Sequence, residues 1–211
     1  MARLVVFDMD GVLADVQSSW VYVHRYFNVN NEHSLYAYLR GEIDDLEFIR
    51  RDIRLWKDKR PDLSLQKIED VLAEVPLMPG ASGTISQLRK MGVKTAIVSA
   101  GIDLLAERIV RDLGMDHQVA NGLVTDEKGR LTGEGVLRVK LMDKGDAVSE
   151  VGTRFGVARE DIVSVGNSSY DVSMFDRSGK GIAFRPSDAR VSEMADAVVE
   201  HEDLTGILRH L

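Results

Sequence analysis

Five short apolar runs constrain this chain most: Leu4 to Phe7, Val93 to Val98, Ile162 to Val165, Gly181 to Phe184 and Ala197 to Val199, each ending in small or polar residues. Without polar alternation, such runs read as strands buried on both faces, the pattern of a parallel sheet. Helical periodicity fills most of the intervals. It covers Ile85 to Met91, then Ile102, Leu105, Ile109 and Leu113, then about Asp143 to Phe155 and Tyr170 to Arg177, each followed by a glycine within a residue or two. Strand and helix in alternation predict an α/β fold with a doubly wound, mainly parallel, Rossmann-like sheet, whose ligands gather at the carboxyl ends of the strands.

Two stretches break the alternation. From Ala14 to Leu77 only helical patterns occur, with Leu46, Ile49, Ile53 and Trp56 forming one apolar stripe and Leu65, Ile68, Leu72 and Val75 another. The aromatics Trp20, Tyr22, Tyr26, Phe27, Tyr36, Tyr38, Phe48 and Trp56 concentrate there. Most are expected to make a small core of that segment, with one or two lining a cavity against the sheet. The second break, Gln118 to Val136, reads as a β-hairpin about Asp126-Glu127-Lys128-Gly129. Pro76, Pro79 and Gly80 mark the return to the alternating pattern. The expected organisation is an α/β core of residues 1–13 and 78–211 with an all-helical insertion at 14–77.

Composition narrows the chemistry. The chain has 211 residues, 44% of them hydrophobic, enough for a full core. It has no cysteine, and its histidines (His24, His33, His117, His201 and His210) lack ligand spacing, so any metal should be a hard, oxygen-bound cation. A formal charge of −7 argues against a nucleic-acid partner. No apolar stretch approaches the roughly 20 residues of a membrane span. Met1-Ala2-Arg3 runs directly into the first strand rather than into a signal peptide, so the cytoplasm is the expected location.

The first strand ends in Asp8-Met9-Asp10-Gly11-Val12. Residues 8 and 10 point the same way along an extended chain, so their carboxylates repel one another and invite a divalent cation, and Gly11 lets the backbone turn away. The second strand ends at Ser99-Ala100-Gly101 and the third at Gly166-Asn167-Ser168-Ser169-Tyr170-Asp171, with Lys144 at the start of the helix before it. Phosphoryl transfer needs a nucleophile, a cation, donors for the phosphate oxygens and an acid for the leaving group. An aspartate can supply the nucleophile and a second carboxylate the proton. Ser99 and the N–H groups of Ala100 and Gly101, read as a helix N-terminus, offer an anion cradle. Lys144 adds a compact positive charge, and Asn167 and Asp171 offer oxygens to Mg²⁺.

In that order, Asp8-Met-Asp-Gly-Val, Val98-Ser99-Ala-Gly, Lys144 and Gly166-Asn-Ser-Ser-Tyr-Asp171 resemble the four motifs of the haloacid dehalogenase superfamily of phosphohydrolases. The helical insertion is similar to its C1 cap. Val98-Ser-Ala-Gly-Ile-Asp103, Leu131-Thr-Gly-Glu and Asp171-Val-Ser-Met-Phe175 look most like its phosphoserine phosphatase branch. The resemblance implies a Mg²⁺-dependent phosphomonoesterase acting on a small phosphorylated metabolite. Asp8 is then the nucleophile and Asp10 the general acid and base. Ser99, Ala100 and Lys144 bind phosphate, Asp8, the Asp10 carbonyl and Asn167 hold the metal, and Asp171 orients Lys144 or the metal's water shell. Phosphoryl transfer to another alcohol, and a non-catalytic phosphate- or metal-binding homologue, use the same residues.

The match departs in two places. Motif four begins Gly-Asp in that branch and Gly166-Asn167 here, which removes one charge and predicts weaker metal binding. In the cap, the branch's ammonium-binding glutamate falls at Gln17, and its carboxylate-binding arginine falls near Asp52, among Arg50, Arg51 and Arg54. Those three arginines are candidate substrate contacts, weighed against a solvated face paired with Glu47 and Asp52. A phosphorelay receiver domain shares aspartates, Ser/Thr and lysine at strand ends, but its phosphorylated aspartate ends a middle strand, where Ser99 stands here. The glycine-rich signatures of P-loop and dinucleotide-binding folds are absent. The sequence names neither substrate nor oligomeric state.

Overall fold

The computed structural model describes residues 2–211, so Met1 lies outside it. Seven strands form one sheet: β1 (Leu4–Phe7), β2 (Lys94–Ile102), β3 (His117–Thr125), β4 (Leu131–Val136), β5 (Ile162–Gly166), β6 (Lys180–Phe184) and β7 (Ala197–Val199), in the order β4-β3-β2-β1-β5-β6-β7. Every pairing is parallel except that of β3 with β4. The chain steps from β1 to β2 on one side and to β5 on the other, so β1 lies at the switch point of the winding. Its register sets Phe7 beside Ile97 and Val165, which brings the ends of three strands together.

Strand period decides which face each β1 side chain serves. Val5 and Phe7 pack with Ile97 and with Ile85, Leu88, Leu105 and Ile109 of helices α5 (Ala81–Lys90) and α6 (Asp103–Leu113). Leu4 and Val6 pack with Ala96, Val98, Val148 and Met174 on the face covered by α7 (Gly145–Phe155) and α8 (Val172–Asp176). A final short helix, α9 (Ala189–Met194), precedes β7. Among the described residues, no helix is long and apolar enough to cross a membrane.

Between β1 and α5 the insertion folds as α1 (Ser19–Tyr26), α2 (Glu32–Leu39), α3 (Asp45–Lys59) and α4 (Leu65–Ala73). Trp20 and Trp56 stack with centroids 5.5 Å apart. Ile53, Trp56, Leu63 and Ile68 are fully buried and continuous with the sheet core. Tyr26 and Tyr36, expected inside, are more than half exposed.

Two expectations change. β2 continues as strand through Ser99-Ala100-Gly101 to Ile102, and α6 starts only at Asp103, so the anticipated helix N-terminus at Ala100-Gly101 is a strand end. The hairpin does not stand apart from the sheet either. β3 pairs parallel with β2, and β4 adds an antiparallel edge.

The hairpin also grips the insertion. Leu65 N–H donates to Gly129 C=O at 2.9 Å and Leu131 N–H to Leu63 C=O at 2.8 Å. Lys57 Nζ donates to Leu131 C=O, and Arg50 Nε lies 2.6 Å from Glu134 Oε2. From the far side, Arg108 of α6 donates to the carbonyls of Leu72, Ala73 and Val75 at 3.0, 2.5 and 2.6 Å, satisfying the open C-terminal end of α4. At the α3–β4 contact a Cβ on Gly135 would stand 2.3 Å from Ile49 Cγ2. Gly135→Val is expected to cost about 1–3 kcal/mol by overpacking, read as a lower urea midpoint at unchanged m-value.

Candidate active site

The core floor of the site is assembled from three strand ends and one helix start. Asp8 N–H donates to Val165 C=O at 2.9 Å, which holds the end of β1 against β5. The Asp8 carboxylate is buried. Its Oδ1 lies 3.0 Å from Lys144 Nζ, an ion-pair contact. Lys144 itself is 3% exposed, and its Nζ donates to Asp171 Oδ1 at 2.6 Å. Asp171 Oδ2 accepts from the Asn167 and Ser168 N–H groups at 2.8 and 3.0 Å and from the Ser168 hydroxyl at 3.2 Å. Asp171 thus both aims Lys144 and shapes the turn that presents Asn167.

Asp10 is fixed by a residue the motif reading passed over. Its Oδ2 accepts from Ser19 N–H at 2.8 Å and from the Ser19 hydroxyl at 2.9 Å, at the start of α1. Gly11 turns the chain at φ +79°, and a Cβ there would stand 2.3 Å from Asn167 Nδ2, so the Asn167 amide packs directly against the turn beside Asp10. A Cβ on Gly101 would likewise fall 2.7 Å from Ser19 Oγ and 2.9 Å from Asp10 Oδ2. Both positions need glycine for this approach.

At the end of β2, the buried Ser99 hydroxyl accepts from Gly101 N–H at 3.1 Å. The Gly101 donor is therefore engaged, and the anion cradle reduces to the Ser99 hydroxyl hydrogen and the backbone at Ala100. Ala100 C=O accepts from Trp20 Nε1 at 3.0 Å and from Asn121 Nδ2 at 3.1 Å. Asn121 also accepts through its Oδ1 from the Arg138 and Val139 N–H groups at 2.8 and 2.9 Å. An asparagine inside a strand runs against β propensity, and that was its one signal in the sequence.

Burial raises the Asp8 carboxyl to about 7, with neighbouring Asp171 and Asp10 adding to the rise and Lys144 opposing it. Burial also raises Asp10, against the two hydrogen bonds from Ser19. For Lys144, burial works against the charge, but Asp171 and Asp8 outweigh it and the net shift is upward. Two carboxylates thus flank one ammonium, with Asp10 close to Asp8, and Asp10 Oδ1 is buried with no hydrogen-bond partner. The Asp8 carboxylate, the unpartnered Asp10 Oδ1 and the Asn167 side-chain amide line one cavity and offer hard oxygen donors with excess negative charge, which fits a divalent cation such as Mg²⁺. Among the described residues no group of three or more His, Cys, Asp or Glu gathers as a metal cage.

Above this floor lies a cavity of about 360 Å³ roofed by the insertion. Asp8, Asp10, Ser99, Ala100, Lys144 and Asn167 line it, and so does Gln17. Arg50, Arg51 and Arg54 do not. Arg50 reaches Glu134, while Arg51 and Arg54 pair with Glu47 at 3.1 and 3.4 Å. Their candidacy as substrate contacts is thereby corrected. Asp52, expected to pair with that arginine face, points inward instead, where its carboxylate accepts from Asn31 Nδ2 at 3.1 and 3.2 Å and lies 3.4 Å from His24 Nε2. The lining that sequence reasoning missed includes Ser18, Asn31, Asp45, Tyr170 and Ser187.

A family model described as haloacid dehalogenase-like hydrolase matches residues 5–176. The phosphoserine phosphatase of Methanocaldococcus jannaschii is 30% identical over 213 residues, covering 99% of this chain and 97% of that protein. That of Archaeoglobus fulgidus is 31% identical over 210 residues, covering 97% of this chain and 58% of its own length. Among solved structures, a substrate-bound phosphoserine phosphatase superposes with a TM-score of 0.84 at 28% identity, covering 100% of this chain and 99% of the other. A phospho-aspartyl intermediate analogue of phosphoserine phosphatase gives 0.83 at 30% identity, with coverage of 100% and 99%.

Asp171→Asn removes the nearer partner of a buried ammonium. It is expected to destabilise the fold by about 3 kcal/mol, the low end for a broken buried pair because Asp8 remains beside Lys144. Equilibrium urea denaturation of the two proteins measures this.

Proposed function

The chain belongs to the haloacid dehalogenase-like hydrolases, and on that premise we propose that it is a Mg²⁺-dependent phosphomonoesterase that turns over a small phosphorylated metabolite through an aspartyl-phosphate on Asp8. One observation carries the reading. The carboxylates of Asp8 and Asp10 both line the cavity floor, Asp10 with an unpartnered buried oxygen and Asp8 paired with a lysine whose charge is fixed by Asp171.

The Asp8 carboxylate attacks phosphorus, forming the acyl-phosphate as the bond from phosphorus to the ester oxygen breaks. Asp10, held through Oδ2 by Ser19, keeps Oδ1 free to give its proton to the departing alcohol. Burial shifts Asp10 toward its protonated form, the form that gives the proton. In the second half, Asp10 takes a proton from water, the resulting hydroxide attacks phosphorus, and the Asp8 carboxylate is released with inorganic phosphate. Lys144 and the Ser99 hydroxyl meet the phosphate oxygens in both halves.

Asp8, the Asp10 carbonyl and the Asn167 amide oxygen would hold Mg²⁺, which offsets phosphate charge and draws the Asp8 carboxyl back below neutral pH. We assign residues 14–77 as the cap that closes the site from above.

Asp8→Asn is expected to lower kcat for p-nitrophenyl phosphate by at least about 10³-fold, as for loss of a covalent nucleophile, with unchanged circular dichroism. Hydrolysis at the wild-type rate would sink the reading. Asn167→Asp restores a ligand charge and should lower the Mg²⁺ concentration for half-maximal activity severalfold, read from metal titration of EDTA-treated protein.

A further inference from the structure

We propose that the cavity is selective for phosphomonoesters whose alcohol carries no carboxylate, so that neutral and amine-bearing leaving groups are accepted and anionic ones are turned away. This deepens the phosphomonoesterase reading and rests on it. Among the described residues Lys144 is the one cationic side chain in the lining. Its Nζ sits at the floor between Asp171 at 2.6 Å and Asp8 at 3.0 Å, with no positive charge left to serve the roof. The roof supplies none of its own. On its α3 wall, Asp45 and Asp52 flank Phe48 and Ile49. Gln17 and Asn31, the polar groups nearby, are neutral.

At the N-terminus of α1, two of the first-turn N–H groups are already engaged. Ser19 N–H donates to Asp10 at 2.8 Å and Val21 N–H to Ser18 Oγ at 3.4 Å. Arg50, Arg51 and Arg54 are paired outside the cavity. A carboxylate on the leaving group would lose water and gain no counter-ion, with Asp45, which accepts from the Tyr38 hydroxyl and Leu141 N–H, and Asp52, held by Asn31 beside His24, on the facing wall. Selectivity of this kind comes from repulsion of the wrong substrate, without a dedicated contact to the right one.

Matched esters test it in the wild-type protein with Mg²⁺. Phosphoethanolamine is phosphoserine without its carboxylate, glycerol 3-phosphate is 3-phosphoglycerate without its own, and phosphoserinamide keeps the size of phosphoserine but not the charge. The expected result is at least a tenfold higher kcat/KM for the uncarboxylated member of each pair, with phosphoserinamide also at least tenfold above phosphoserine. Equal or better turnover of the carboxylates overturns the inference while leaving the phosphomonoesterase reading intact. So does phosphoserinamide that is as poor as phosphoserine, since size would then be the discriminator. No turnover of any of these or of p-nitrophenyl phosphate overturns the phosphomonoesterase reading, and this inference with it.

Discussion

The Lys144 ammonium, buried between Asp8 and Asp171, is the interaction on which the rest of the site depends. A lysine taken out of water without partners would lose its charge or unfold its surroundings, so it must recruit carboxylates from whatever segments can reach it. Here they come from the end of β1 and from the turn after β5, while the lysine comes from the start of α7. One charge thereby fixes three segments that are far apart in the chain. The effect spreads through Asp171, whose second oxygen collects the Asn167 and Ser168 N–H groups, so the position of the Asn167 amide follows from the position of the ammonium. The negative charge gathered at Asp8 and Asp10 is what burial penalises, and it raises the proton affinity of both carboxyls.

Most of the core was legible because each part is a local signal read against one rule. Buried apolar runs give parallel strands, the order of winding puts β1 at the switch point, and residues just past strand ends meet there. Asp8, Asp10, Ser99, Lys144 and Asn167 were placed by that logic, and all of them line one cavity. What was not legible depends on geometry a few residues long. Nothing in Ser99-Ala-Gly-Ile says that the strand runs on to Ile102, and that extension removes Gly101 N–H from the cradle. Ser19 looks like an ordinary residue at a helix start, and only the fold brings its hydroxyl to Asp10. The hairpin, readable as two strands and a turn, carried no sign that β3 joins the sheet or that the turn would bond to the residues between α3 and α4.

The cap arginines show how much a single helical register decides. Asp45, Phe48, Ile49 and Asp52 are spaced i, i+3, i+4 and i+7, so they share one face of α3, and all four line the cavity. Arg50 is one residue, about 100° of helix, past Ile49, which carries it to the hairpin side and to Glu134. Arg51 and Arg54 fall on the outer side with Glu47, one and two turns of helix along from it. Rotating α3 by a residue would bring an arginine inward, but the hairpin forbids it. Ile49 is wedged against Gly135, Lys57 is tied to the Leu131 carbonyl, and the backbone pairs Leu63 and Leu65 with Leu131 and Gly129 at the end of the helix. The charge of the cavity wall is therefore set outside the cavity, by the β4 edge of the sheet, and a change in substrate preference can arise from residues that never meet the substrate.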